Sequence, residues 1–73
     1  MSYSKFSQTT MSFLKEKRES LGITQTEVAI HIYGDKKYRG EISKLESNKR
    51  NITLFILDKY LELFKCEIAF KEN

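Results

Sequence analysis

Short helical stripes of apolar residues alternate with polar breaks along this chain. Met11, Leu14 and Leu21 fall near helical spacing, with Lys15, Glu16, Lys17 and Glu19 between them facing outward. They predict a first helix over residues 10–21, closed by Gly22, because glycine takes the left-handed C-terminal cap at little cost. The residues before it, 1–9, are polar and rich in Ser and Thr, and are expected to form a flexible arm. Thr24-Gln25-Thr26-Glu27 matches a capping box, in which the Thr hydroxyl caps the Glu amide and the Glu side chain reaches back. A short second helix should follow, burying Val28, Ala29 and Ile32, with Gly34 near its end. After the polar stretch Asp35-Lys36-Lys37-Tyr38, a third helical pattern runs over 39–47 with Ile42 and Leu45 inward. Residues 47–51 read as a loop, since Asn tolerates the left-handed conformation of a turn. Thr53 then caps a final helix over 54–64.

That last helix carries two apolar rows. Leu54, Leu57, Leu61 and Phe64 are expected to face the core, leaving Ile56, Tyr60 and Leu63 as a second row at i, i+4, i+7. One domain needs one stripe, so the second row is assigned to a dimer interface. From Cys66 the period changes: Cys66, Ile68 and Phe70 alternate with Glu67, Ala69 and Lys71, which is a strand signal. A lone strand in a helical chain is expected to pair with the same strand of a second copy. The predicted fold class is therefore mainly α. A four-helix domain (10–64) follows the arm (1–9) and precedes a dimerisation strand and tail (65–73).

Size and composition strengthen the expectation of a dimer. A chain of 73 residues and 8.6 kDa buries a small core. One Cys and one His can build neither an internal disulfide nor a Cys/His zinc site, so association is the remaining staple. At 40% apolar and 32% charged residues the composition is that of a folded domain. Leu54-Phe55-Ile56-Leu57 is far short of the ~20 apolar residues of a membrane span. No charged-then-apolar leader opens the sequence, so a cytoplasmic protein without a membrane partner is expected. His31 and Cys66 form no triad or metal motif, so neither an enzyme nor a cofactor-dependent protein is expected.

The net charge of +3 is unevenly placed. Residues 34–51 hold six basic side chains (Lys36, Lys37, Arg39, Lys44, Lys49, Arg50) against three acidic ones, and the rest of the chain is close to neutral. A basic block on a weakly basic chain points to a polyanion-facing surface or, equally, to a solvated lysine-rich loop. Two short helices joined by a turn, the second starting inside that block, make a helix-turn-helix candidate. The second helix of such a unit fits the major groove, ~12 Å wide.

At these residues the chain resembles the Xre/Cro-type helix-turn-helix family, whose members share a lambda-repressor-like fold. The matching positions are Arg18, Leu21-Gly22-Ile23-Thr24-Gln25, Glu27-Val28-Ala29 and Ile42-Ser43-Lys44-Leu45-Glu46-Ser47-Asn48-Lys49-Arg50-Asn51, and the resemblance spans about residues 11–64. It implies binding to double-stranded DNA. Gln25 would contact a phosphate at the start of the second helix, where backbone amides and the dipole favour anions. Arg39, Gly40, Glu41, Ser43 and Lys44 would meet the groove and read bases. Asn48, Lys49 and Arg50 would grip the backbone, and Arg18 and Glu46 would form a buried structural pair.

The chain also departs from the family. The segment between Ala29 and Ile42 is about three residues longer than the common pattern, which enlarges the turn Tyr33–Tyr38 and lets Lys36, Lys37 and Tyr38 reach phosphates. Asn48 stands where Gly is usual, and Ile52 where Pro is usual. The expected C-terminal strand resembles the HipB/HigA-type antitoxins. That resemblance implies a homodimeric repressor of a palindromic operator with a HipA-like kinase toxin as partner. A phage repressor, a restriction–modification controller and a protein-interaction module without sequence-specific DNA binding remain open alternatives.

Overall fold

A computed structural model describes the backbone of residues 5–72 and the side chains of residues 5–65. Four helices follow in order: α1 (Lys5–Ser20), α2 (Gln25–Tyr33), α3 (Arg39–Glu46) and α4 (Leu54–Glu72). A 3-10 turn, Lys36–Tyr38, joins α2 to α3. Among the described residues there is no strand, and no helix is long and apolar enough to cross a membrane.

The breaks between helices form where local chemistry predicts them. Gly22 ends α1 at φ 74. Its amide donates to the Glu19 carbonyl and the Ile23 amide to the Arg18 carbonyl, the paired bonds of a Schellman cap. The Ile23 side chain is thereby turned into the core. Thr24 opens α2: its hydroxyl accepts from the Glu27 amide at 3.1 Å while its own amide donates to Glu27 Oε1 at 2.9 Å. Gly34 closes α2 at φ 82, its amide donating to Ile30. Thr53 opens α4 by accepting from the Ile56 amide.

Helix α1 already covers residues 5–9, part of the segment expected to be an arm. There Ser7 is buried on the same face as Met11, Leu14 and Arg18. Its hydroxyl accepts from the Ile52 amide at 2.7 Å and so ties the start of α1 to the loop before α4. A polar residue can hold a helix end when a buried amide needs an acceptor.

Two expectations about α4 are corrected. The predicted strand at Cys66, Ile68 and Phe70 is helical backbone, continuous with α4 to Glu72. No Gly or Pro separates residue 64 from residue 66. The tail's apolar residues also satisfy helical spacing with those before them: Phe64 to Ile68 is i, i+4, and Leu63, Cys66 and Phe70 are i, i+3, i+7. The alternation was too short to override a helix already under way. The side chains of Cys66, Ile68 and Phe70 lie outside the described residues.

The inward face of α4 is also shifted: Ile56 and Tyr60 turn inward and Leu54 and Leu61 outward, while Phe64 faces the core as expected. Ile56, Tyr60 and Phe64 are buried in the chain's own core with Met11, Leu14, Ile23, Val28, Ala29, Ile42 and Leu45, and Leu57 and Leu63 pack partly against it. Ile56 and Tyr60 are therefore not available to a second copy. The outward positions are Leu54, Phe55 and Leu61, at 82%, 56% and 46% exposure. Both rows have helical period, so spacing alone could not tell them apart. On the buried row the Tyr60 phenol has a buried acceptor.

Candidate nucleic-acid interface

That acceptor is Glu46, at the C-terminal end of α3. Arg18 from α1 grips its carboxylate with one edge of the guanidinium, Nε donating to Oε2 at 2.8 Å and Nη2 to Oε1 at 3.0 Å. Gln25 from α2 donates to Oε1 at 3.1 Å, and the Tyr60 hydroxyl from α4 donates to Oε2 at 2.8 Å. The remaining arm of Arg18 donates to the Ile23 carbonyl. One carboxylate thus ties all four helices together and fixes α3 against α1, α2 and α4. Burial, and after it the charge of Glu46, pushes the Tyr60 phenol well above its ordinary pKa of 10.0. The expected pair of Arg18 and Glu46 lies side by side, while Gln25 and Tyr60 join it unforeseen. A tyrosine in an apolar helical row, whose hydroxyl must find a partner when buried, was the available signal.

The outer side of α3 has the opposite character. Ile42 and Leu45 point inward, and Arg39, Gly40 and Lys44 lie exposed. Ser43 is half-buried beside them. Glu41 is held by two cations, with Arg50 Nη1 at 3.1 Å from Oε1 and Lys44 Nζ at 3.6 Å from Oε2. The carboxylate therefore neutralises part of the block and draws Arg50 from the following loop onto the flank of α3. Lys49 is exposed next to it. Among the described residues, Arg39 has no carboxylate partner.

Gly40 is exposed in the first turn of α3, and a Cβ added there would meet nothing within 4 Å. The fold has no use for a glycine at this position, which costs roughly 0.5–1 kcal/mol relative to alanine in a helix.

The enlarged turn is ordered by its own contacts. Asp35 accepts from the Lys37 amide at 2.9 Å and starts the 3-10 turn. Tyr38 then folds back on Tyr33, with ring centroids 5.0 Å apart, and Lys37 Nζ sits 5.4 Å from the Tyr38 ring centre. The Asp with its amide two residues ahead was a readable turn signal; the tyrosine contact was not, since it depends on how α2 ends. Lys36, Lys37 and Tyr38 are exposed and lead directly into Arg39.

At the other end of α3, Asn48 takes the left-handed conformation at φ 60. Its amide donates to Leu45 and the Lys49 amide to Lys44, the same cap that Gly22 makes for α1. Asn48 thus ends the helix, and its side chain is half-buried, with Oδ1 buried and without a hydrogen-bond partner among the described residues. Lys36 and Lys37 before α3, and Lys49 and Arg50 after it, flank the exposed Arg39, Gly40 and Lys44. No family model, curated protein or solved structure matches the chain.

Proposed function

We propose that this chain is a DNA-binding transcriptional repressor that acts as a homodimer on a palindromic operator, with α2, the 3-10 turn and α3 as its helix-turn-helix. The observation that carries the proposal is the outer side of α3, where exposed Arg39, unneeded Gly40 and Lys44 lie between basic residues at both ends of the helix. Arg39 and Lys44 suit guanine O6 and N7, and Gly40 suits close approach to the groove wall. Ser43 and Glu41 complete the base-facing set, Glu41 as an acceptor for cytosine N4 once Arg50 turns to a phosphate. Lys36, Lys37, Tyr38, Lys49 and Arg50 supply positioning contacts. Gln25 is engaged with Glu46, so its phosphate contact falls to the second amide hydrogen and to the α2 amides.

The finer role, antitoxin and autoregulator beside a HipA-like toxin, rested on the C-terminal strand. Helical backbone stands in its place, so the proposal is confined to the operator-binding repressor. Phage repressors and restriction–modification controllers share that chemistry. The rival of a different class, a protein-interaction module, is favoured by one observation: Glu41 lies within the basic face and lowers its charge.

Enrichment of duplexes from a random DNA pool at two salt concentrations separates these. A repressor enriches a palindrome with half-sites one helical turn apart, and affinity falls with log salt at a slope of about −0.9 per phosphate contact. Arg39→Ala relaxes preference at one base position, at a cost of about 1–3 kcal/mol, while Lys49→Ala weakens all sequences alike and reduces the slope by about 1. Uniform, salt-sensitive binding without enrichment overturns the proposal.

A further inference from the structure

We infer that the exposed face of α4 is a self-association surface on which a second copy of this chain packs antiparallel. Leu54, Asp58, Leu61 and Lys65 follow at i, i+4, i+7 and i+11, which places them on one stripe of the helix. All four are exposed, and Phe55 and Leu57 border them. Leu54 and Leu61, two turns apart, and the adjoining Phe55 are open apolar side chains rimmed by charge, the pattern of a contact surface.

The charges select the occupant and its direction. Asp58 lies three residues before Leu61 and Lys65 four residues after it. Two α4 helices crossing antiparallel about Leu61 bring Asp58 of each copy to Lys65 of the other, twice by symmetry. A parallel pair would set Asp58 against Asp58 and Lys65 against Lys65. Among the described residues neither side chain has an ion-pair partner in its own chain, so both are available. Lys59, by contrast, is occupied: its Nζ lies 5.6 Å from the Phe55 ring centre and 3.6 Å from Glu62. The stripe is thus self-complementary in charge about Leu61.

The inference shares with the proposed function the need for a second copy, but its test uses no DNA. Sedimentation equilibrium of the full chain over a wide concentration range should give a monomer–dimer equilibrium. Leu54→Gln and Leu61→Gln, each checked for helicity, should weaken it by about tenfold or more. At low salt, Asp58→Lys and Lys65→Asp should each weaken it by about fivefold or more, since each places two like-charged pairs across the axis. Mixing those two variants should restore association as a heterodimer, because both contacts then join Lys to Asp. Monomer at all concentrations, or a dimer indifferent to Leu54 and Leu61, overturns the surface. A dimer sensitive to the leucines whose charge-reversed variants fail to rescue one another overturns the antiparallel arrangement. A dimer that behaves as stated but enriches no DNA sequence removes the proposed function and leaves this surface standing.

Discussion

Helix α3 carries two glutamates five residues apart, and each is held by an arginine. Glu46 meets Arg18, Gln25 and Tyr60 with its side chain 2% exposed, whereas Glu41 meets Arg50 and Lys44 with its side chain 31% exposed. The partners are chemically alike, and the surroundings make the outcome differ. The Glu46 side chain is shut away from solvent, both its oxygens are used, and losing a partner leaves charge stranded in a poor solvent. Around Glu41 water competes with both cations, so the contacts form and break at little cost. The inner glutamate holds α3 in place. The outer one occupies two cations, Lys44 and Arg50, that the proposed function assigns to DNA.

Replacing Glu46 is the hardest blow to this contrast. Glu46→Ala leaves the Arg18 guanidinium buried without its counter-charge and removes the acceptor of Gln25 and Tyr60. It should cost about 3–5 kcal/mol, much of the total stability of a domain this small. Urea titration against Glu41→Ala makes the comparison directly, and equal losses at the two sites would show that burial is not what distinguishes them.

Tyr60 sharpens the same point through pH. Its raised pKa means that the folded chain keeps the phenol proton after the unfolded chain has lost it. The stability tied to that proton is complete below the unfolded value of 10.0 and falls as pH rises past it. Tyr60→Phe should cost about 1–2 kcal/mol at neutral pH, since Glu46 loses a donor, and should flatten the alkaline decline. Stability measured from pH 8 to pH 11 tests both, and an unchanged alkaline slope would place the titrating group elsewhere.

What the sequence disclosed about these regions depends on the range of the interaction. The capping box at Thr24–Glu27, the Gly22 and Gly34 caps and the Thr53 cap are set by neighbouring residues, and all form as expected. The start of α3 near Arg39 follows from the polar break before it. Which row of α4 faces inward depends on three other helices, and Ile56, Tyr60 and Phe64 prevailed over Leu54 and Leu61 because only they meet Met11, Leu14 and the Glu46 carboxylate from one face. Ser7 likewise had no local reason to be buried; its reason is the Ile52 amide, 45 residues away. For the candidate site, the basic residues were plain in the charge distribution. The clasp of Arg50 on Glu41 and the contact of Tyr33 with Tyr38 were not, because both depend on how a cap turns the chain.

Gly40 tests the outer side of α3 without touching either glutamate. A Cβ there has open space around it, so Gly40→Ala should stabilise the fold by roughly 0.5–1 kcal/mol. If the groove wall comes close to this backbone, the same variant weakens operator binding. Stability and affinity would then move in opposite directions in one protein, a result that a purely structural glycine does not produce. A variant more stable and equally good at binding would remove Gly40 from the interface.

The smallest expected change in stability lies at Glu41. Glu41→Gln keeps the shape of the side chain and releases Lys44 and Arg50, altering stability by no more than about 0.5 kcal/mol. If the chain binds DNA as proposed, the effect on binding is larger in proportion, because two cations become available and a negative charge leaves the face. Binding to all sequences should tighten, and the salt dependence should steepen by about one phosphate contact as Arg50 is freed. Preference should weaken at the base position where Glu41 would have accepted from cytosine. If affinity tightens with no loss of preference, Glu41 regulates charge alone and reads nothing. If affinity does not change, the outer side of α3 does not face DNA, and the likeness between the two glutamates extends to their both being structural.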